Sequence, residues 1–148
     1  MVMKTIKATS LLVIAGLLFF ACHKNSGHLY IKLTNKSNRK IACQEFWCGH
    51  ITESDTIFQC RIGAVGIPSD SSFLLPSGDA VKGRGWEYDF NTIPYLQLLI
   101  MDFETYNTYI YEPCDTVRKY VPVLHVYRLT LEDLQKTNWT VTYPPEKQ

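Results

Sequence analysis

The chain has 148 residues, of which 46% are hydrophobic and 13% aromatic, with 15 basic and 14 acidic side chains. Nucleic-acid binding needs a clustered basic face, and this balanced charge argues against nucleic acid as a partner. A chain of this size buries about two thirds of its unfolded surface, so one domain with its own core is expected.

The first 21 residues have the three parts of a secretory signal. A basic start holds Lys4 and Lys7, the apolar core Leu11–Ala21 follows, and Cys22 comes next. This core is well short of the roughly 20 apolar residues that a membrane-spanning helix needs. We therefore predict a signal peptide over residues 1–21, whose removal changes the net charge from +1 to −1.

A cysteine directly after such a core resembles a bacterial lipobox, in which the cysteine is diacylated and becomes the new N-terminus. Ala21 fits the small residue before the cut, whereas Phe19 and Phe20 depart from the usual pattern. Two acyl chains hold a protein stably on a membrane, at ~0.8 kcal/mol for each buried methylene. We predict that Cys22 is the lipid attachment site and that residues 22–27 are a lipidated N-terminus and short linker. The alternative is an ordinary secretory peptide whose Cys22 later forms a disulfide.

The residues after Cys22 indicate which membrane carries the anchor. No aspartate follows Cys22 directly, which by analogy with other Gram-negative lipoproteins favours the outer membrane. "HKNSG" also lacks the acidic patch that resembles a surface-export signal in Bacteroidales-type bacteria. We predict an outer-membrane protein on the periplasmic face, with surface display as the alternative.

Four further cysteines, Cys43, Cys48, Cys60 and Cys114, would reach an oxidising compartment, which favours disulfides among them. Three connectivities exist, one of which pairs Cys43 with Cys48 across a tight hairpin and leaves Cys60 for Cys114. The rival interpretation is a metal site that adds His50 to the first three. The spacing Cys43-x4-Cys48 matches structural zinc sites poorly, so no metal or cofactor is expected.

Alternation with a period of two predicts a series of short strands. In "HLYIKLTN" the residues Leu29, Ile31 and Leu33 share one face, and "NKSNRK" is a turn. "KIACQEFW" and "TIFQCRIG" are the next strands, and "VGIPSDSS" is a loop. "YLQLLIMDF" is the most continuously apolar stretch of the mature chain, which is typical of a central buried strand. "VPVLHVYRLT" and "WTVTY" complete the series.

Two other segments carry different signals. "GDAVKGRGWEYDFN" predicts a short strand near Trp86 after a glycine-rich lead-in. In "TLEDLQK" Thr130 and Asp133 have the spacing of a capping box, and Leu131 with Leu134 has helical spacing. We therefore predict an all-β protein: a two-layer antiparallel β-sandwich, immunoglobulin-like, with one short helix near the C-terminus. It is a single domain over residues 28–148.

"YRLTLEDLQKTNWTVTYPP", Tyr127–Pro145, resembles the closing signature of small uncharacterised lipoproteins from gut Bacteroidales-type bacteria. "IKLTNKSNRKI", Ile31–Ile41, resembles their opening strand and turn, and "LLIMDFET" resembles their middle. The resemblance covers about a third of the mature chain. It implies a location and a fold, and it supplies no mechanism.

The motifs of common enzymes are missing from the sequence, including the G-x-S-x-G elbow, the glycine-rich phosphate loop and the H-E-x-x-H helix. Glu87 with Asp89, and Asp102 with Glu104, are carboxylate pairs spaced by two, which places each pair on one face of a strand. Surface solvation explains such pairs better than acid–base catalysis, which needs a pocket and separated pKa values. We predict that the protein is not an enzyme.

"GRGWEYDF" is the best candidate for an exposed contact surface. Trp86 and Tyr88 could stack on a sugar ring or anchor a protein partner, although alternating aromatic residues also fill sandwich cores. Thr56 and Thr116 each lie in an Asp-Thr-aliphatic triplet that resembles an O-glycosylation site of Bacteroidales-type envelopes.

The sequence thus predicts a lipid-anchored envelope protein, a non-enzymatic binding or structural accessory. It would hold the membrane through the lipid on Cys22 and take a protein or glycan partner. The alternative is a carbohydrate-binding protein that uses the Trp86 region, or a thiol-redox protein that uses Cys43 and Cys48.

Overall fold

The computed structural model describes residues 27–48 and 63–145, with the backbone alone for residues 46–48. In this part of the chain seven strands form two sheets. The strands are β1 (Tyr30–Asn35), β2 (Ile41–Cys48), β3 (Val65–Ile67), β4 (Ser71–Pro76), β5 (Tyr95–Asp102), β6 (Val123–Leu129) and β7 (Thr140–Tyr143). The helices are α1 (Trp86–Asp89), α2 (Phe103–Tyr109), α3 (Cys114–Tyr120) and α4 (Leu131–Lys136), with a 3-10 turn over Ala80–Lys82.

The protein is mostly β, with two packed sheets and a few short helices, as the alternating pattern predicts. The smaller sheet has the order β4-β1-β7 and the larger sheet has the order β3-β2-β5-β6. All strand pairs are antiparallel except β1 with β7, which is parallel. The expectation of a purely antiparallel sandwich is wrong at this pair, because the last strand enters beside the first one in the same direction.

The main core lies between the two sheets. On β1, Ile31 and Leu33 are fully buried, as the alternation predicts, and on β5 Leu98 and Ile100 face them from the other sheet. The strand β5 is central in its sheet, which confirms the prediction from its continuous apolar run. Met101, on the opposite face of β5, packs in a second cluster with Ala42, Tyr106 and Val117.

The helices α2 and α3 cover that second face, and the sequence did not predict them. Asp102 ends β5 and at the same time caps α2, since its Oδ1 atom accepts hydrogen bonds from the Thr105 amide and hydroxyl groups at 2.9 and 2.8 Å. Pro113 precedes α3, and Val117 buries one side of that helix. A single predicted helix was therefore too few, because these two are short and mostly polar outside their buried positions.

The segment around Trp86 forms the helix α1, so the predicted strand is wrong. Trp86 is fully buried and its ring centroid lies 6.3 Å from that of Phe90, one helical turn later. Tyr88 points outward and is 46% exposed. The aromatic residues alternate in the sequence, but the helical twist sends them to different sides.

The predicted loop "VGIPSDSS" is also partly wrong, because Val65–Ile67 pairs with β2 and Ser71 begins β4.

The helix α4 confirms the capping-box prediction. The Thr130 amide donates to Asp133 Oδ2 at 2.9 Å, and the Asp133 amide donates to Thr130 Oγ1 at 3.2 Å. After the helix, Asn138 and Trp139 have φ angles of 50° and 57°. Left-handed backbone stops the helix here and turns the chain into β7.

Replacing Asn138 with alanine is expected to lower the free energy of unfolding by about 1 kcal/mol, because a Cβ without a local hydrogen-bonding group is disfavoured in left-handed backbone. Asn138→Gly is the matched control and should keep at least the parent stability, since glycine adopts this conformation freely. Urea denaturation of the three proteins measures the difference. Equal stability of the alanine and glycine variants would contradict this account of the turn.

Candidate functional site

A groove opens between β6 and β7, which are the edge strands of the two sheets in the described part of the chain. The Tyr127 hydroxyl bridges the two strands by donating to the Thr142 carbonyl oxygen at 2.6 Å. The cavity has a volume of about 500 Å³, which lies in the range of small-molecule sites. Its lining is formed by Tyr127, Leu129, Thr137, Thr140, Val141, Thr142 and Pro145.

The groove has an apolar floor and a rim of hydroxyl groups. Leu129 and Val141 provide the floor, and none of the described residues that line the cavity is charged. The hydroxyl groups of Thr137 and Thr140 donate to main-chain carbonyls at 3.1 and 3.3 Å, so their oxygen lone pairs can still accept a bond from a ligand. The arrangement suits an uncharged ligand with an apolar face and hydrogen-bond donors.

Tyr127 stays a protonated donor in this groove. Its pKa is raised, first by burial and then by the charges that Tyr143 and Cys43 would carry. His125, on the same face of β6, packs edge-on against the Tyr127 ring at 4.4 Å and lies 6.5 Å from the Tyr143 ring. The histidine is thus part of an aromatic cluster on an edge strand.

A smaller cavity of about 180 Å³ lies near β3 and β4, on the other side of the sandwich, and Cys43 and Glu45 contribute to its lining. Cys43 is a free thiol that is 3% exposed. Burial, together with the negative charge of Glu45, raises the pKa of Cys43 to about 12. A reactive cysteine needs the opposite shift, so Cys43 is poorly suited to thiol exchange.

We expect Cys43 to resist iodoacetamide at neutral pH in the folded protein and to react fully after denaturation. The physical reason is twofold: the thiol is buried, and it is protonated far above neutral pH. Mass spectrometry of the Cys43 peptide, labelled with and without urea, measures this. Rapid labelling of the native protein would contradict the buried position.

Each of the three possible connectivities includes Cys43, so none of them holds, and the pairing of Cys43 with Cys48 across a hairpin is wrong with the others. Both residues lie on the single strand β2, so no hairpin brings them face to face, and Cys43 is free. Cys114 is disulfide-bonded, and its partner is not among the described side chains. Cys60 lies outside the described residues, as do Cys22, Thr56, His50 and all of the predicted strand "TIFQCRIG" except Gly63.

In each of the two predicted carboxylate pairs, the two side chains have separate roles. Glu87 and Asp89 lie on α1, where Glu87 contacts His28 and the buried Asp89 accepts from the Gly78 amide at 3.2 Å. Asp102 caps α2, and Glu104 is in the first turn of that helix. Their assignment to strand faces is therefore wrong.

The remaining predicted contact and modification residues lie in different places. Trp86 is buried, and its indole nitrogen donates to the Leu75 carbonyl oxygen at 3.4 Å. Trp86 is therefore a core residue and not part of an exposed contact surface. Tyr88 is exposed below the Arg84 guanidinium, which lies 4.4 Å from its ring. Thr116 is half-buried on α3, and its modification stays a prediction.

Sequence reasoning missed a clamp at the start of the domain. His28 Nδ1 lies 2.6 Å from Glu87 Oε1, and the His28 amide donates to Glu87 Oε2 at 2.7 Å. The His28 ring also stacks on Trp139 with centroids 4.2 Å apart. The contact joins residues that are 59 positions apart, and the sequence carries no signal for such a long-range pair.

The clamp predicts a pH dependence of stability. Burial raises the pKa of Glu87, but the side-chain and backbone hydrogen bonds from His28 outweigh it and hold the pKa below the ordinary 4.5. A lowered pKa contributes stability above pH 4.5 that is lost as the pH falls below it. We expect Glu87→Gln to be less stable than the parent near neutral pH, with the difference shrinking below pH 4.5.

Thermal unfolding between neutral pH and pH 3 tests this prediction. Glu112→Gln, at an exposed carboxylate in the connection between α2 and α3, is the matched control. A difference between Glu87→Gln and the parent that is constant over this range would show that the ionised carboxylate contributes nothing.

In comparisons with known proteins, no family model, curated protein or solved structure matches this chain. Among the described residues, none of the helices combines the length and apolar character needed to cross a membrane. In the same residues, His, Cys, Asp and Glu side chains do not gather in groups of three that could hold a metal ion.

Proposed function

We propose that this chain is a lipid-anchored protein of the bacterial cell envelope and acts as a non-enzymatic binding accessory. One observation carries the proposal: the apolar run Leu11–Ala21 leads directly into Cys22, and the folded domain begins within about five residues of that cysteine. Two acyl chains on Cys22 would hold the domain at the membrane. The outer membrane, on its periplasmic face, is the expected location.

The disulfide at Cys114 supports export, because disulfides persist in oxidising compartments. Its partner is expected to be Cys60. Cys48 pairs with Tyr95, about 20 Å along β2 from Ala42, whereas Cys114 is one helical turn from Val117, which packs against Ala42. Peptide mapping without reduction should find Cys60 linked to Cys114, and a link from Cys48 to Cys114 would contradict the assignment.

Fatty-acid labelling tests the anchor directly. We expect the full chain, expressed in a Bacteroidales-type host with an alkyne-tagged palmitate, to carry the label at residue 22 and to fractionate with membranes. Cys22→Ala should lose both properties, and Cys43→Ala is the matched control that should keep them. An unmodified residue 22, or a retained signal segment, would reject the proposed function.

The groove between β6 and β7 is the proposed binding site. Its uncharged lining, apolar floor and hydroxyl rim support a neutral ligand, and carbohydrate is the second candidate because sugars present apolar faces beside hydroxyl donors. The raised pKa of Cys43 gives no support to the thiol-redox alternative. The immunoglobulin-like character of the sandwich also stays a prediction.

An array of neutral oligosaccharides tests the carbohydrate candidate. Tyr127→Phe removes a hydroxyl group from the groove, and Tyr111→Phe removes one from an exposed tyrosine between α2 and α3. Binding that is weakened by the first change and unaffected by the second would support the groove. No binding by the parent protein would reject carbohydrate and leave a neutral protein segment as the ligand.

A further inference from the structure

The residues just before β1 are held against one loop of the domain. The Trp86 amide donates to the His28 carbonyl oxygen and the Ser77 amide donates to the Leu29 carbonyl oxygen, both at 2.9 Å. Gly85 passes so close to Gly27 that a Cβ on Gly85 would lie 2.7 Å from the Gly27 carbonyl carbon. With the pair of His28 and Glu87, these contacts fix the point where the linker meets the domain.

The segment at this point, Asp79–Tyr88, is here named the tether-side loop, and its last three residues belong to α1. Its 3-10 turn carries Val81, whose side chain is fully exposed at 101% of the reference value. Lys82 and Arg84 follow Val81 in the loop, and both pair with Asp79, at 2.9 and 3.3 Å. Tyr88 is 46% exposed below the Arg84 guanidinium. An apolar tip with cations and an amphipathic aromatic ring beside it is typical of a membrane–water interface.

The linker is short, so it would keep this loop near the membrane that carries the acyl chains. Five peptide steps separate Cys22 from Gly27, which span at most about 17 Å when fully extended. Val81 is only four residues before Gly85, the residue in contact with Gly27. The helix α2 begins at Phe103, at the other end of the sandwich, because β1 leads away from the clamp down to Asn35 and Ile41, after the following turn, pairs with Asp102.

We propose that the tether-side loop rests against the lipid surface that holds the acyl chains of Cys22. This inference rests on the proposed function. The loop gives the anchored domain a second contact, so the domain stands on the membrane with α2 and α3 facing away from it. The partner of the loop is a lipid bilayer, because the acyl chains on Cys22 would be inserted in that bilayer and only the linker separates Cys22 from the domain.

Tryptophan quenching by brominated lipids tests the orientation. The full lipidated chain is reconstituted in vesicles of phosphatidylethanolamine and phosphatidylglycerol, with and without bromine on the acyl chains. Val81→Trp places a fluorophore at the tip of the tether-side loop. Tyr111→Trp, at a side chain that is 96% exposed between α2 and α3, is the matched control. Both positions are exposed, so neither change should disturb folding.

We expect the Val81→Trp variant to lose emission in brominated vesicles relative to the parent chain, and the Tyr111→Trp variant to show no loss beyond the parent. Equal quenching of the two variants, or none in either, would overturn the orientation while the anchor stands. Flotation of the vesicles separates the two failures: a parent chain that stays behind in the soluble fraction rejects the anchor, and the orientation with it.

Discussion

Replacing Asn35 with alanine is expected to lower the free energy of unfolding by about 3 kcal/mol. Asn35 is fully buried, and its amide nitrogen lies 2.8, 3.1 and 2.9 Å from the carbonyl oxygens of Arg39, Ile67 and Pro68. Its Oδ1 atom accepts from the amide and the hydroxyl of Ser37 at 3.0 and 2.7 Å. One side chain therefore joins the turn after β1 to the connection between β3 and β4.

The size of this effect comes from the partners that remain. Alanine removes the donor and leaves buried carbonyl groups without one, and each unsatisfied group costs about 1–3 kcal/mol. Asn35→Asp should be worse still at neutral pH, because a carboxylate would face three carbonyl oxygens. Asn91→Ala, at an exposed position after α1, is the control and should change stability by less than about 0.5 kcal/mol. Guanidinium denaturation measures all four proteins, and a small change at Asn35 would reject this role.

Gly85→Ala is expected to destabilise the protein by about 2 kcal/mol, because the backbone at Gly85 must move away from the backbone at Gly27 and His28. A Cβ at this position would lie 2.7 Å from both the Gly27 carbonyl carbon and the His28 nitrogen, and neither atom belongs to a flexible side chain. The clamp must therefore open, and the hydrogen bond from the Trp86 amide to His28 should weaken with it.

Hydrogen exchange localises the effect of Gly85→Ala. Protection of the Trp86 and Ser77 amides, which donate to His28 and Leu29, should fall more than protection along β5. Gly63→Ala is the matched control, because a Cβ there meets no atom within 4 Å. Unchanged exchange at Trp86 and unchanged stability would show that Gly27 and Gly85 can separate without cost.

The strands were predictable from the sequence because each buries one face. Ile31 and Leu33 alternate with Tyr30, Lys32 and Thr34 on β1, and the mostly apolar run of β5 marks a strand covered on both sides. The capping box at Thr130 was readable for the same reason: it is a local pattern with one physical cause. These signals depend on neighbours within a few positions along the chain.

The errors have one origin, which is that the deciding partner is distant in sequence. Trp86 alternates with Tyr88 as in a strand, but it lies on a helix and is buried in the main core with Leu75, eleven residues earlier. Tyr127 reaches the groove only because β7 is brought opposite β6, and the hydroxyl bonds to Thr142. The sequence predicted the strand "VPVLHVYRLT" that carries Tyr127, and it could not say which strand the Tyr127 side chain would meet.

The pairing of β1 with β7 has a consequence for biogenesis. The first strand of the domain takes the last strand as its neighbour, so the three-stranded sheet cannot close until the C-terminal residues are available. The proposed function implies a precursor that crosses a translocation channel as an unfolded chain. A sheet that needs β7 beside β1 would keep that precursor open during synthesis and would let it complete the fold after export.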